Sequence, residues 1–193
     1  KSISILNKIN SYVKSDKNNA KYKAIVTPPY TLLESFTKKF SKSKISIGAQ
    51  NCYQKDFFSS NTGAISSFMI KKLGTNYVII GHSDNRAEGD NSKILKQKVT
   101  YALKNNLKII FCIGENKIQK RNKKTFSTLS SQLKSVLEKK YNQNNIIVAY
   151  EPIWSIGTGI LPSSNDLLKN TLFIKKVLNK IFKSKKIPAV LYG

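Results

Sequence analysis

The sequence predicts an α/β fold, a (β/α)8 barrel that is incomplete as given, with about six of the eight strands. Three observations predict it. Short apolar runs rich in β-branched residues alternate with stretches of helical periodicity along the whole chain. Strands and helices follow one another without a break, at roughly the 25–40-residue period of βα units. Polar and reactive residues recur just after several strands, at Gln50-Asn51, His82, Glu115 and Glu151, as in a barrel whose site gathers at one face. An open doubly wound sheet is the competing architecture, but no Gly-x-Gly-x-x-Gly opens a helix after a strand.

In order, residues 3–13 put Ile5, Leu6, Ile9, Tyr12 and Val13 on one helical face. Residues 22–27 form a strand that Pro28-Pro29 ends, because proline donates nothing to a ladder. Leu32, Leu33, Phe36 and Phe40 mark a second helix, and residues 45–49 a second strand. A long polar loop then runs to Gly63. Helical spacing returns at Ile65, Phe68, Met69 and Leu73, followed by a strand over 77–80. Leu95, Val99, Ala102 and Leu103 lie on the next helix, before a strand over 108–113. Phe126, Leu129, Leu133, Val136 and Leu137 mark another helix, and Ile146-Ile147-Val148-Ala149 another buried strand. The last helix carries Leu168, Phe173, Ile174, Val177, Leu178 and Ile181, and residues 189–193 make a sixth strand. Residues 1–193 are expected to be a single barrel domain, truncated at both ends, with no linker or second domain.

Composition narrows the function. No apolar run approaches the ~18 residues of a membrane span, and the first residues lack the apolar core of a secretory signal. Cys52 and Cys112 sit at or beside strands and are expected to be buried thiols in a reducing compartment, the cytoplasm. His82 is the sole histidine, which excludes a His-rich metal site. A net charge of +24 would attract phosphorylated metabolites, nucleic acid or an anionic membrane. Yet only Arg86 and Arg121 are arginines, and the scarcity of that bidentate side chain weighs against a dedicated nucleic-acid surface. A compositional lysine bias over the solvated faces is the preferred explanation.

Two stretches carry chemistry. Glu151 follows an apolar strand, Pro152 stops that strand, and Ile153-Trp154-Ser155-Ile156 is an apolar loop closed by Gly157-Thr158-Gly159. This pattern fits a base at a strand end with a hinged lid whose glycines bring bare N–H groups to a ligand. The ordinary alternative is a strand-to-helix turn with a surface glutamate. Gly81-His82-Ser83-Asp84 follows another strand directly, with Ser83 and Asp84 as potential helix N-caps. A helix N-terminus beside an imidazole disfavours its charged form. The alternative is a structural histidine satisfied by a backbone carbonyl.

Together, Gly81-His82-Ser83 with an acid behind it and Tyr150-Glu151-Pro152-Ile153-Trp154 leading to Gly157-Thr158-Gly159 resemble the triosephosphate isomerase family. Supporting segments are Thr27-Pro28-Pro29-Tyr30, Ala49-Gln50-Asn51-Cys52-Tyr53, Thr62-Gly63, Cys112-Ile113-Gly114-Glu115 and Leu191-Tyr192-Gly193, all in the family's order. The resemblance implies a TIM barrel that interconverts dihydroxyacetone phosphate and D-glyceraldehyde 3-phosphate through an enediolate, without cofactor or metal. Glu151 would be the base, His82 the electrophile, and the Gly157 N–H a phosphate donor delivered by lid closure. A neutral imidazole in that role is the arrangement known for this family itself. The resemblance also implies a homodimer through the loop around Thr62, and a place in glycolysis and gluconeogenesis. Asp84 stands where the family has a longer Glu, Asn85 where Arg is frequent, and Ala64 where an acid follows Thr-Gly. The family's N-terminal strand, with its Asn and catalytic Lys, and its last strand find no match here, so the chain as given is expected to be poorly active. The rival from another class is a catalytically idle basic protein that binds nucleic acid or other polyanions.

Overall fold

The computed structural model describes residues 2–56, 60–184 and 186–193. Its centre is one six-stranded sheet: β1 (Ile25–Val26), β2 (Ser46–Ala49), β3 (Tyr77–Ile80), β4 (Lys108–Ile113), β5 (Ile146–Tyr150) and β6 (Ala189–Tyr192). The strands pair in parallel, in chain order from β1 to β6. That order separates the two candidate architectures. A doubly wound sheet reverses its strand order at a switch point, which sends helices to both faces. Here the order never reverses, so right-handed crossovers keep the helices on one face, and the sheet is an arc of a TIM barrel.

The helices are α1 (Ser2–Ser15), α2 (Tyr30–Phe40), α3 (Ser67–Lys72), α4 (Ser83–Ala87), α5 (Ser92–Lys104), α6 (Lys117–Arg121), α7 (Thr125–Lys134) and α8 (Ser164–Phe182). Each long helix buries one stripe. In α5, Leu95, Val99 and Ala102 are fully buried against the sheet, the spacing a 3.6-residue period requires. Phe111, Ile109, Val148 and Ile80 fill the layer between the central strands and these helices.

The differences from the sequence expectations have local causes. The first strand, expected over 22–27, pairs only at Ile25↔Ser46 and Val26↔Ile47; β2 is its one neighbour, and Pro28-Pro29 withdraws two donors. On α1, Leu6 and Val13 are buried, but Ile5 and Tyr12 are 56% and 68% exposed, so the contact stripe is narrower than the apolar face. The short α6 went unread because it has no apolar periodicity. It is held by a capping box, in which Gln119 N–H donates to the Asn116 side chain at 2.8 Å and Asn116 N–H donates to the Gln119 side chain at 2.9 Å. Lys98 departs from the solvated-lysine expectation. It is 4% exposed, and its ammonium donates to Asp90 at 2.7 Å and to the Asn51 side chain at 3.0 Å.

β4 and β5 are joined beyond their last ladder pair. Glu151 N–H donates to the Ile113 carbonyl at 2.8 Å and Ile153 N–H to the Glu115 carbonyl at 3.0 Å. The backbones approach so closely that a Cβ on Gly114 would lie 1.9 Å from the Glu151 carbonyl oxygen. Gly114→Ala should therefore cost at least about 3 kcal/mol, the upper range for an overpacked core, because the clash is with backbone; a urea titration measures it as a fall in the unfolding midpoint.

Candidate active site

Four strand exits meet at one end of the sheet. Gln50-Asn51 leave β2, His82 leaves β3, Glu115 leaves β4 and Glu151 leaves β5. Beside the β2 and β3 exits lies a cleft of about 370 Å³ lined by Tyr30, Gln50, Asn51, Ile79, His82, Asp84 and Asn85. Its far wall is stitched to the first strand exit: Gln50 Nε2 donates to the Thr27 carbonyl at 3.1 Å, and the Tyr30 hydroxyl donates to the Asn51 carbonyl.

His82, expected to precede an N-cap at Ser83 or Asp84, is itself the N-cap of α4. Its Nδ1 accepts from Asp84 N–H at 3.3 Å. That bond assigns the ring proton to Nε2. Nε2 points toward Glu151, 3.7 Å from Oε2, with the two side chains 33% and 21% exposed. Residues 69 positions apart in the chain thus face one another.

Glu151 sits in a narrow pocket with Gly81, Ser83, Arg86, Cys112, Ile113, Gly114 and Ile153. Its Oε1 accepts a weak bond from the Cys112 thiol at 3.5 Å. Its Oε2 is buried with no hydrogen-bond partner. A buried carboxylate oxygen without a donor is costly, and such orphans collect where a protein keeps an acceptor free. Arg86, more than half buried, donates to the Gly81 carbonyl at 2.7 Å and the Cys112 carbonyl at 3.0 Å, tying the β3 and β4 exits together beneath the pair.

Glu115 is the opposite kind of carboxylate. It is 1% exposed and accepts from the Tyr150 hydroxyl at 3.2 and 3.1 Å and from Trp154 Nε1–H at 2.9 Å. Asn170 on α8 donates in turn to the Tyr150 oxygen at 2.8 Å. Burial first, and the Glu115 charge second, push the Tyr150 phenol well above its ordinary range. The sequence reading placed Glu115 at a strand end without giving it partners. The signal for Asn170 was its position between Leu167 and Ile174, at core spacing on the apolar face of α8.

The loop after Glu151 is a self-bonded turn. Ser155 N–H donates to the Pro152 carbonyl at 2.9 Å, and the Thr158 hydroxyl to the Trp154 carbonyl at 3.2 Å. Gly157 (φ +68°) and Gly159 (φ +72°) supply the left-handed positions that side chains resist. Gly157 is exposed, and nothing lies within 4 Å of where its Cβ would be. The fold thus brings His82 and Glu151 together and holds Gly157 away from them. Of the 50–63 loop, residues 57–59 lie outside the described residues; Thr62 and Gly63 are exposed at its far side, and Tyr53 closes its base through Ile65 and Asn61. Among the described residues no three of His, Cys, Asp and Glu are grouped to hold a metal ion, and no helix is long and apolar enough to cross a membrane.

Comparison with known proteins places this geometry among relatives. The triosephosphate isomerase family model matches residues 1–193. The triosephosphate isomerase of Finegoldia magna is 38% identical over 164 residues, which is 82% of this chain and 64% of the relative. That of Bacteroides fragilis is 35% identical over 196 residues, covering 99% of this chain and 76% of the relative. A crystal structure of triosephosphate isomerase from Bartonella henselae superposes with a TM-score of 0.81 at 32% identity, over 89% of this chain and 70% of that one. The chain spans about two thirds of the length of the Finegoldia relative.

Both cysteines are free and buried. Burial pushes the Cys52 thiol up to about 12, and burial together with the Glu151 charge raises Cys112 as well. An unfolded thiol, with its value near 9, releases its proton first as pH rises. The native state then holds more protons than the unfolded state. Stability should be undiminished below pH 9 and fall as pH climbs toward 12, which unfolding titrations at several pH values would record.

Proposed function

The chain belongs to the triosephosphate isomerase family, and on that premise we propose that it interconverts dihydroxyacetone phosphate and D-glyceraldehyde 3-phosphate through an enediolate. The observation that carries the reading is the facing pair: an unpartnered Glu151 Oε2 at 3.7 Å from a His82 Nε2 that bears its proton. In this reading the Glu151 carboxylate takes the proton from one substrate carbon and returns it to the neighbouring one. His82 Nε2–H donates to the carbonyl oxygen on which negative charge develops, a preorganised donor in a site with little water. The electrons move from the broken C–H bond into the enediolate and back, so no oxidant or cofactor is required.

Gly157 is the phosphate donor in this reading. The segment from Trp154 to Gly159 folds down as a unit, its N–H closing on the phosphate and shielding the enediolate from water. Support comes from the self-bonded turn, its left-handed glycines and the exposure of Gly157. The net charge of +24 favours capture of the dianionic substrate. Glycolysis and gluconeogenesis are the setting for such a reaction, and the cytoplasm its place.

The chemistry is tested by steady-state kinetics on the chain joined to the first and last barrel strands of a family relative. Glu151→Gln should lower kcat by roughly the 100- to 10,000-fold that a lost general base costs, and His82→Gln by roughly 100-fold or more, the worth of one oxyanion donor. Variants that turn over at the parent rate would refute the assignment.

The loop around Thr62 is the proposed contact of a homodimer, supported by the exposure of Thr62 and Gly63 above a base that Tyr53 pins. A bulky charge there, Thr62→Arg, should convert the dimer to monomer in sedimentation velocity; an unchanged sedimentation coefficient would remove the loop from the interface.

A further inference from the structure

We propose that Lys120 is a latch on the flap, a positioning residue whose ammonium seats on the indole of Trp154 and holds the 154–159 segment raised. Its effect on turnover rests on the isomerase reading; the latch itself does not.

Trp154 is gripped on two sides. Its ring edge donates from Nε1–H to Glu115 at 2.9 Å, and its face lies under the Lys120 ammonium, 3.3 Å from the ring centroid. The other cation–ring approaches among the described residues are 5.3 Å or longer, so this one stands apart from incidental lysine crowding. Both grips come from the β4 exit. Glu115 is buried there, and Lys120 is carried by α6, whose capping box fixes the helix against the same turn. The flap root is tied to that exit as well, through Glu151 N–H and Ile153 N–H, with Pro152 buried between them. Trp154 is the first residue beyond these ties. A swing that brings Gly157 toward the cleft therefore draws the indole out from between carboxylate and ammonium. A contact made only in the raised state opposes closure by the full free energy of that contact.

Trp154 is the chain's one tryptophan, so its fluorescence reports the latch without any appeal to catalysis. The full protein is compared with Lys120→Gln, which keeps the length and removes the charge, and Lys120→Arg, which keeps a cation. Far-UV circular dichroism checks that both are folded. With the latch gone, Lys120→Gln should raise the acrylamide quenching constant of Trp154 at least about twofold. It should also lower KM for the triose phosphate by roughly threefold, within the range a partly buried cation–π contact supplies. Lys120→Arg should stay near the parent on both measures. Quenching that is the same in Lys120→Gln and the parent overturns the latch, as does a KM that rises. If the parent joined to the first and last barrel strands of a family relative shows no isomerase turnover, the proposed reaction falls, and the quenching comparison still decides the latch.

Discussion

At the exits of β4 and β5 two backbones come so close that only glycine fits at position 114, and the functional end of the molecule hangs from that approach. The parallel ladder continues past the strands through Glu151 N–H and Ile153 N–H, which fixes where the Glu151 side chain starts and where the flap begins. Gln132 on α7 completes the clamp, donating to the Gly114 carbonyl at 3.0 Å and accepting from its N–H at 2.9 Å. These bonds need no solvent and leave the junction little freedom. The Glu151 side chain therefore starts from a fixed root.

The two glutamates at these exits differ in their surroundings. Glu115 is saturated by a phenol and an indole, so its charge is spent on holding Tyr150 and Trp154 in place. Glu151, one strand over, receives only a thiol on one oxygen and nothing on the other. The two carboxylates thus differ in donor count, although both come within two residues of the end of a strand.

The lysine excess, viewed in three dimensions, is mostly solvent-facing, but it is not uniform. Lys98 is drawn into the interior, where Asp90 and Asn51 satisfy it, and so braces the wall of the cleft from behind. Lys120 lies on a ring face. Lys38, Lys96, Lys104 and Lys140 pair with carboxylates, and the net charge of +24 attracts anions without choosing among them.

Hydrophobic periodicity and strand-end polarity pointed to the α/β class and put His82 and Glu151 at strand ends, because burial stripes and strand stops are local properties of a chain, while the roles expected of the two residues came from the family resemblance. The glycines at 157 and 159 likewise announced a turn, since left-handed backbone is costly for other residues. Distances were decided only by the tertiary structure. That His82 caps its own helix, that Glu151 keeps a free oxygen, and that Glu115, Tyr150, Asn170 and Trp154 form one network all depend on side chains from different elements meeting. Hydrogen bonds between residues 20 to 40 positions apart leave no periodic trace in the sequence, because each is fixed by how the strands and helices pack and not by its neighbours along the chain.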